Sequence, residues 1–144
     1  MSSSDPTELR RVLANARVVA VLGAHPDRSR AAWYVPAYLQ RQGARILPVN
    51  PLHTGEEILG EPVRASLAEL HEPVDVVDVF RRPEALSAHL ADILAMRPAP
   101  RLVWLQSGIR EEGFARSLEE AGIPVIQDRC MLADHQRLGV GPIG

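Results

Sequence analysis

The stretch Gly23-Ala24-His25-Pro26-Asp27-Arg28-Ser29-Arg30 holds residue types that suit an anion. It follows a run of five apolar residues, Val18–Leu22, and precedes a segment of helical character. A glycine lets the chain turn sharply off a strand. The helix that follows would present unbonded N–H groups and a positive dipole end, which favour phosphate. Ser29 adds a hydroxyl and Arg28 or Arg30 a charge-assisted hydrogen bond. The competing reading is that Ser29 merely caps the helix and both arginines are solvated. The later glycines of the GxGxxG fingerprint are missing, and the second strand ends in Val49-Asn50-Pro51 with no carboxylate until Glu56. Dinucleotide sites of the NAD type usually place an acidic side chain there, so both features count against NAD.

Four further segments carry candidate groups. Asn50-Pro51 is a turn former; the Asn50 amide either faces a nucleotide or bonds its own backbone. In Val79-Phe80-Arg81-Arg82-Pro83, Phe80 can pack against a base and Arg81 can reach a phosphate, or Phe80 is core and the arginines are surface charges. In Gln106-Ser107-Gly108, the glycine permits close backbone approach and the glutamine offers both donors and an acceptor. Cys130 follows Arg129 at the expected start of a helix, two features that activate a thiol, although a buried inert cysteine is the commoner outcome. His25, His53, His71, His89 and His135 are scattered without ligand spacing, so no metal site is expected. His25 is a general-base candidate with no substrate indicated, and no GxSxG elbow is present.

The elements that position these groups alternate strand with helix. Asp5-Pro6 reads as a cap and first residue of a helix running to Asn15, the core of an N-terminal unit 1–16. Strands are expected at Val18–Leu22, Arg45–Val49, Val74–Phe80, Leu102–Leu105 and Pro124–Ile126, with a short extra edge strand near Val63. Apolar runs of this kind mark strands buried on both faces. Helices are expected at Arg30–Gln42, where Pro36 sits awkwardly, at Pro83–Met96, and at Glu111–Ala121. A short helix capped by Ser66, with Glu69 reciprocating, is expected through Leu70, and a last turn or two from Cys130. This pattern predicts a three-layer α/β fold, a Rossmann-like doubly wound parallel sheet of five to six strands, as one domain over 1–144 with a flexible tail at 139–144. Ligands of such sheets bind beyond the strand carboxyl ends, which is where all the candidate segments fall.

The totals narrow the class. A chain of 144 residues with net charge −2 has no cationic excess for a run of phosphates, so nucleic acid is not the expected partner. A single cysteine excludes an internal disulfide, and Met1–Pro6 lacks the basic and apolar regions of a secretory signal. No apolar run reaches bilayer length, so no membrane partner is expected, and the protein reads as cytoplasmic.

Taken in order, Val18-Ala20-Val21-Leu22-Gly23-Ala24, Leu47-Pro48-Val49-Asn50-Pro51, Gly55-Glu56-Glu57-Ile58-Leu59-Gly60, Val74–Arg82, Val103-Trp104-Leu105-Gln106-Ser107-Gly108 and Asp128-Arg129-Cys130-Met131 resemble the CoA-binding domain proteins. These are small relatives of the nucleotide domain of the succinyl-CoA synthetase α subunit, and the resemblance covers about residues 15 to 137. It implies CoA or an acyl-CoA as ligand. By position, Gly23, Ala24, Ser29 and Arg30 would hold phosphates, Asn50, Pro51, Val79, Phe80 and Arg81 would frame the adenosine, and Gln106 and Gly108 would face the pantetheine. Ala32-Trp33 departs from a serine-tyrosine pair common in the family. The synthetase's second domain has no room here, so its ligase activity does not carry over. The expectation is therefore binding without catalysis. The alternatives are a thiol-dependent or acyl-CoA-processing enzyme using Cys130, an NAD(P)-binding sensor, or an accessory subunit. Self-association and a protein partner stay open.

Overall fold

The computed structural model describes residues 5–144; the polar stretch Met1–Ser4 lies outside them. Helix α1 (Pro6–Ala14) begins as its sequence dictates. The Asp5 carboxylate accepts from the Thr7 and Glu8 N–H groups, and Pro6, which has no N–H to lose, takes the first helical position. Five strands follow, all parallel: β1 (Val18–Leu22), β2 (Arg45–Val49), β5 (Val76–Val79), β6 (Leu102–Leu105) and β7 (Val125–Ile126), in the order β2-β1-β5-β6-β7. The apolar runs are continuous because helices cover both sheet faces.

On one face, α1, α2 (Ala31–Arg41) and α5 (Met131–Arg137) bury Leu9, Leu13, Val35, Leu39 and Met131 against Val19, Val21, Val76 and Trp104. On the other, α3 (Ser87–Ala95) and α4 (Glu112–Glu120) bury Ile93, Phe114 and Leu118 against Ala20, Leu22, Val77 and Val103. The three-layer α/β expectation holds.

Between the second and third main strands lies a small antiparallel hairpin, β3 (Glu57–Ile58) and β4 (Glu61–Pro62). Just beyond it, the Arg64 N–H donates to the Pro48 carbonyl at 3.0 Å and the Arg64 carbonyl accepts from the Asn50 N–H at 2.8 Å. This parallel bridge at Val49 is the expected edge strand near Val63, reduced to one residue. With it, the chain adopts the dinucleotide-binding strand order in miniature. The order reverses between β1 and β5, and the crevice opens there.

Three local expectations need correction. The Ser66 hydroxyl makes no capping bond, and the segment is only a 3-10 turn, Leu67–Glu69. The helix expected from Pro83 is split into a 3-10 turn, Pro83–Ala85, and α3, which starts after Leu86 without a side-chain cap. The tail, 139–144, is packed rather than loose: Ile143 is buried and its N–H donates to the Gln42 carbonyl at 2.7 Å. Gly43, at φ +116°, makes room for it, since a Cβ there would stand 2.5 Å from the Ile143 carbonyl oxygen. Pro36 lies inside α2 without ending it.

Candidate functional site

A cavity of about 530 Å³ opens at the strand-order reversal, between the start of α2 and the loops after β5, β6 and β7. Its cationic side chains are Arg30, Arg81 and Arg82, and no carboxylate lines it. The chain has no lysine, so its permanently charged basic side chains are all guanidiniums, suited to bidentate phosphate contact. Ala31 and Ala32 also line the cavity, and their N–H groups have no acceptor among the described residues. They are the first donors of α2, whose own ladder begins with Trp33 and Tyr34 bonding to the Arg30 carbonyl. Val35, Phe80 and Ile109 give the cavity an apolar stretch, and Gln106, Ser107, Gly108 and Cys130 complete its wall.

Gly23 makes this arrangement sterically accessible. Its φ is +91°, and a Cβ there would lie 2.8 Å from the Phe80 carbonyl oxygen and 3.2 Å from Arg81 Cδ. The loop after β1 and the Arg81 side chain can therefore cross only because position 23 has no side chain. The Nε atom of Arg81 is buried without a partner among the described residues, a donor awaiting an acceptor.

On the far side, two loops are fastened together. The Asp128 carboxylate accepts from the Gly108 N–H at 2.7 Å, the Asp128 N–H donates to Ile109, and the Gln127 side chain accepts from the Glu111 N–H at 2.8 Å. The Trp104 indole N–H holds the Arg129 carbonyl at 2.7 Å, as a buried indole requires. Gln106 is 4% exposed; its Oε1 accepts from the Met131 N–H at 3.2 Å, next to Cys130.

Several candidate residues have other duties. The Ser29 hydroxyl and N–H both donate to the Asp27 carboxylate, at 2.7 and 3.0 Å. These bonds hold Asp27 below the usual carboxylate range, the hydroxyl bond most. Arg28 stacks on Trp33 instead of facing the cavity. Asn50 is buried with its amide spent: Nδ2 donates to the Ala24 carbonyl at 2.8 Å and Oδ1 accepts from the Leu52 N–H at 2.9 Å. The amide thus clasps two loops, and neither Asn50 nor exposed Pro51 reaches the cavity wall. Val79 is fully buried in the opposite core. Of the sequence candidates, Arg30, Phe80, Arg81, Gln106 and Gly108 line the cavity, while Gly23 shapes it from beneath. Ala24 is buried and serves as the acceptor for Asn50. The reading did not assign Ala31, Tyr34, Val35 and Ile109; only the helix start at 31 and the register of the loops reveal them.

The histidines do not converge on the cavity. His25 packs its ring against His53 at 4.8 Å, its Nδ1 accepts from the Asp27 N–H, and burial, aided by Arg30 and His53, lowers its pKa. It is neutral at physiological pH and does not line the cavity. His89 is lowered in the same way, by burial and then by Arg81. The thiol-activation argument for Cys130 loses its cation: Arg129 is committed to Asp134 by two bonds of 2.7 and 2.9 Å. Among the described residues there is no cluster suited to a metal ion, and no helix is long and apolar enough to cross a membrane.

A doubly wound parallel sheet with an arginine-edged crevice at its order reversal defines a Rossmann-like domain. The chain belongs to the CoA binding domain family, whose sequence pattern matches residues 17–136. It is 34% identical over 135 residues to the uncharacterized protein YneT of Bacillus subtilis (strain 168), spanning 94% of this chain and 97% of that one. Cell-free ID.343 from Thermus thermophilus superposes with a TM-score of 0.89 at 57% identity, over 93% of this chain and 98% of that chain. A hypothetical protein from Pyrococcus horikoshii OT3 does so at 0.85 and 28%, over 93% and 92%.

Proposed function

We propose that the cavity at the strand-order reversal binds CoA or an acyl-CoA and that the protein acts as a binding module without catalysis of its own. The observation that carries this reading is the set of donors in the cavity wall: the unbonded Ala31 and Ala32 N–H groups and the unpartnered Nε of Arg81, with Arg82 and Arg30, the latter 3.8 Å from Asp27, beside them and no carboxylate in the lining. Such a set suits the phosphates of CoA. The apolar stretch at Val35, Phe80 and Ile109 suits the pantetheine arm, leading to Gln106 and Gly108. Gly23 and Ala24 shape the phosphate loop and Ser29 stiffens it through Asp27, so these act by position. NAD is disfavoured, because Asn50, where an acidic residue would be needed, is already spent on Ala24 and Leu52. A lone thiol fits a reducing, cytoplasmic setting.

Isothermal titration of the reduced protein with CoA, with NAD and ATP as controls, tests the reading. Saturable CoA binding that weakens about tenfold or more in Arg30→Ala or Arg81→Ala, the loss of one charge-assisted contact, is expected. Failure of CoA to bind the folded wild type would overturn it.

A further inference from the structure

Two nitrogens on either side of the Pro83–Ala85 turn are buried without a partner among the described residues: Nε of Arg81 and Nε2 of His89. Arg81 lines the cavity, and its stem passes close to Gly23, where a Cβ would stand 3.2 Å from Cδ. His89 is half-buried and does not line the cavity. It stands in the first turn of α3, where its backbone N–H donates to the Leu86 carbonyl at 2.9 Å. The two groups are nonetheless coupled. Burial comes first in holding the His89 imidazole below its usual range, and the charge of Arg81 comes next, with Asp92 on the same helix opposing. The turns 67–69 and 83–85 and helix α4 pack on α3, and their Glu69, Glu84, Glu112 and Arg116 exert no comparable field. The positive end of α3 also disfavours an imidazolium in its first turn. His89 is thus a neutral group that the cavity's own arginine helps to keep neutral.

We propose that His89 is a positioning residue that acts through Arg81: capture of an anion at Arg81 is coupled to uptake of a proton at His89. The proposal rests on the reading of the cavity as a phosphate-binding site. A phosphate oxygen drawn to the Arg81 guanidinium offsets the charge that His89 feels. The imidazole then takes up a proton at a higher pH than in the free protein. The same step makes Nε2 a donor, whichever tautomer the free protein holds. Coupling between two sites is reciprocal, so a protonated His89 tightens the hold on the anion. Binding therefore strengthens as pH falls through the range in which His89 titrates, until the free protein is protonated as well.

The histidine ring signals of the full chain, followed by NMR from pH 5 to pH 8, test the coupling. The His89 signal is the one missing from His89→Gln. Saturating CoA should strengthen proton binding at His89 by about threefold to tenfold, and Arg81→Gln without CoA should move it in the same direction. Isothermal titration gives the reciprocal measure. Wild-type affinity for CoA relative to that of His89→Gln should grow by a similar factor between pH 8 and pH 5, the titration of CoA itself cancelling in the ratio. A His89 midpoint unmoved by bound CoA, or an affinity ratio constant with pH, would overturn the proposal and leave the CoA reading standing. If CoA does not bind, the CoA reading falls by itself. Sulfate, whose charge is fixed across this range, then serves as the probe, and a His89 midpoint that sulfate does not raise overturns this inference too.

Discussion

Asp78 sits in the central row of the sheet, between Val21 on β1 and Trp104 on β6, and exchanging it for valine is expected to stabilise the protein. The residue is fully buried, and neither carboxylate oxygen has a hydrogen-bond partner among the described residues. Burial pushes its pKa well above the ordinary carboxylate range, so the folded protein holds it protonated. An unpartnered buried polar group costs about 1–3 kcal/mol by mutational measure. Valine removes that cost, suits a central strand by its β-branching, and matches the apolar neighbours on that face. The expected gain where both states are protonated is therefore about 1–3 kcal/mol, a sizeable share of the roughly 5–15 kcal/mol typical of a domain, and it is larger at neutral pH. The sign of the pH dependence follows. Below the carboxyl's unfolded pKa both states are protonated and nothing is lost. Above it the unfolded chain sheds a proton that the folded chain keeps, so stability falls by up to about 1.4 kcal/mol per pH unit until the raised folded pKa is passed. Urea unfolding of wild type and Asp78→Val at pH 5 and pH 7 measures both effects. The gap should favour valine and widen with pH. A destabilised variant, or a gap that does not change with pH, would mean that the carboxylate has a partner and would refute the reasoning.

Other expectations are simpler. Gly23→Ala forces a Cβ to 2.8 Å from a backbone oxygen at a φ of +91°, so it should cost about 1–3 kcal/mol in thermal unfolding and weaken CoA in titration. Asn50→Ala leaves a buried carbonyl and an N–H without partners, costing about 1–3 kcal/mol in urea unfolding; an unchanged midpoint would refute the clasp. Tyr38→Phe removes the 2.6 Å bond from the hydroxyl to His135 Nδ1 beneath α5 and should lower the thermal midpoint by several degrees.

Much of the sheet could be read from local composition, because strands buried on both faces must be apolar throughout; Val18–Leu22 and Leu102–Leu105 admit no other role in so short a chain. Gly23 was legible for the same local reason, a glycine ending a strand. The hairpin at 57–62 was not, since two-residue strands have no period to detect. The site divides along the same line. Arg30 and Arg81 announce themselves by charge at a strand's carboxyl end. The fate of Asn50 and Ser29 depends on which carbonyl or carboxylate the folded chain brings within 3 Å, and nothing in their neighbours in sequence encodes that choice. That the Asp78 carboxylate has no partner is not written in its neighbours, because the valines around it mark a strand buried on both faces without showing which polar groups reach it.

The packing of Ile143 against Gly43 has a kinetic side. The contact joins chain segments far apart in sequence, and the Gly144 N–H adds a 3.5 Å reach to the carbonyl of Ala14. Closing so long a loop before α1, β1 and α2 have assembled would sacrifice chain entropy for one small side chain. Docking of residues 142–144 is therefore expected to follow the assembly of α1, β1 and α2. The Ile143 amide, protected only by the Gln42 carbonyl, then becomes a built-in reporter: its hydrogen exchange tracks the opening of the terminal segment while the amides of β1 and β5 track global unfolding.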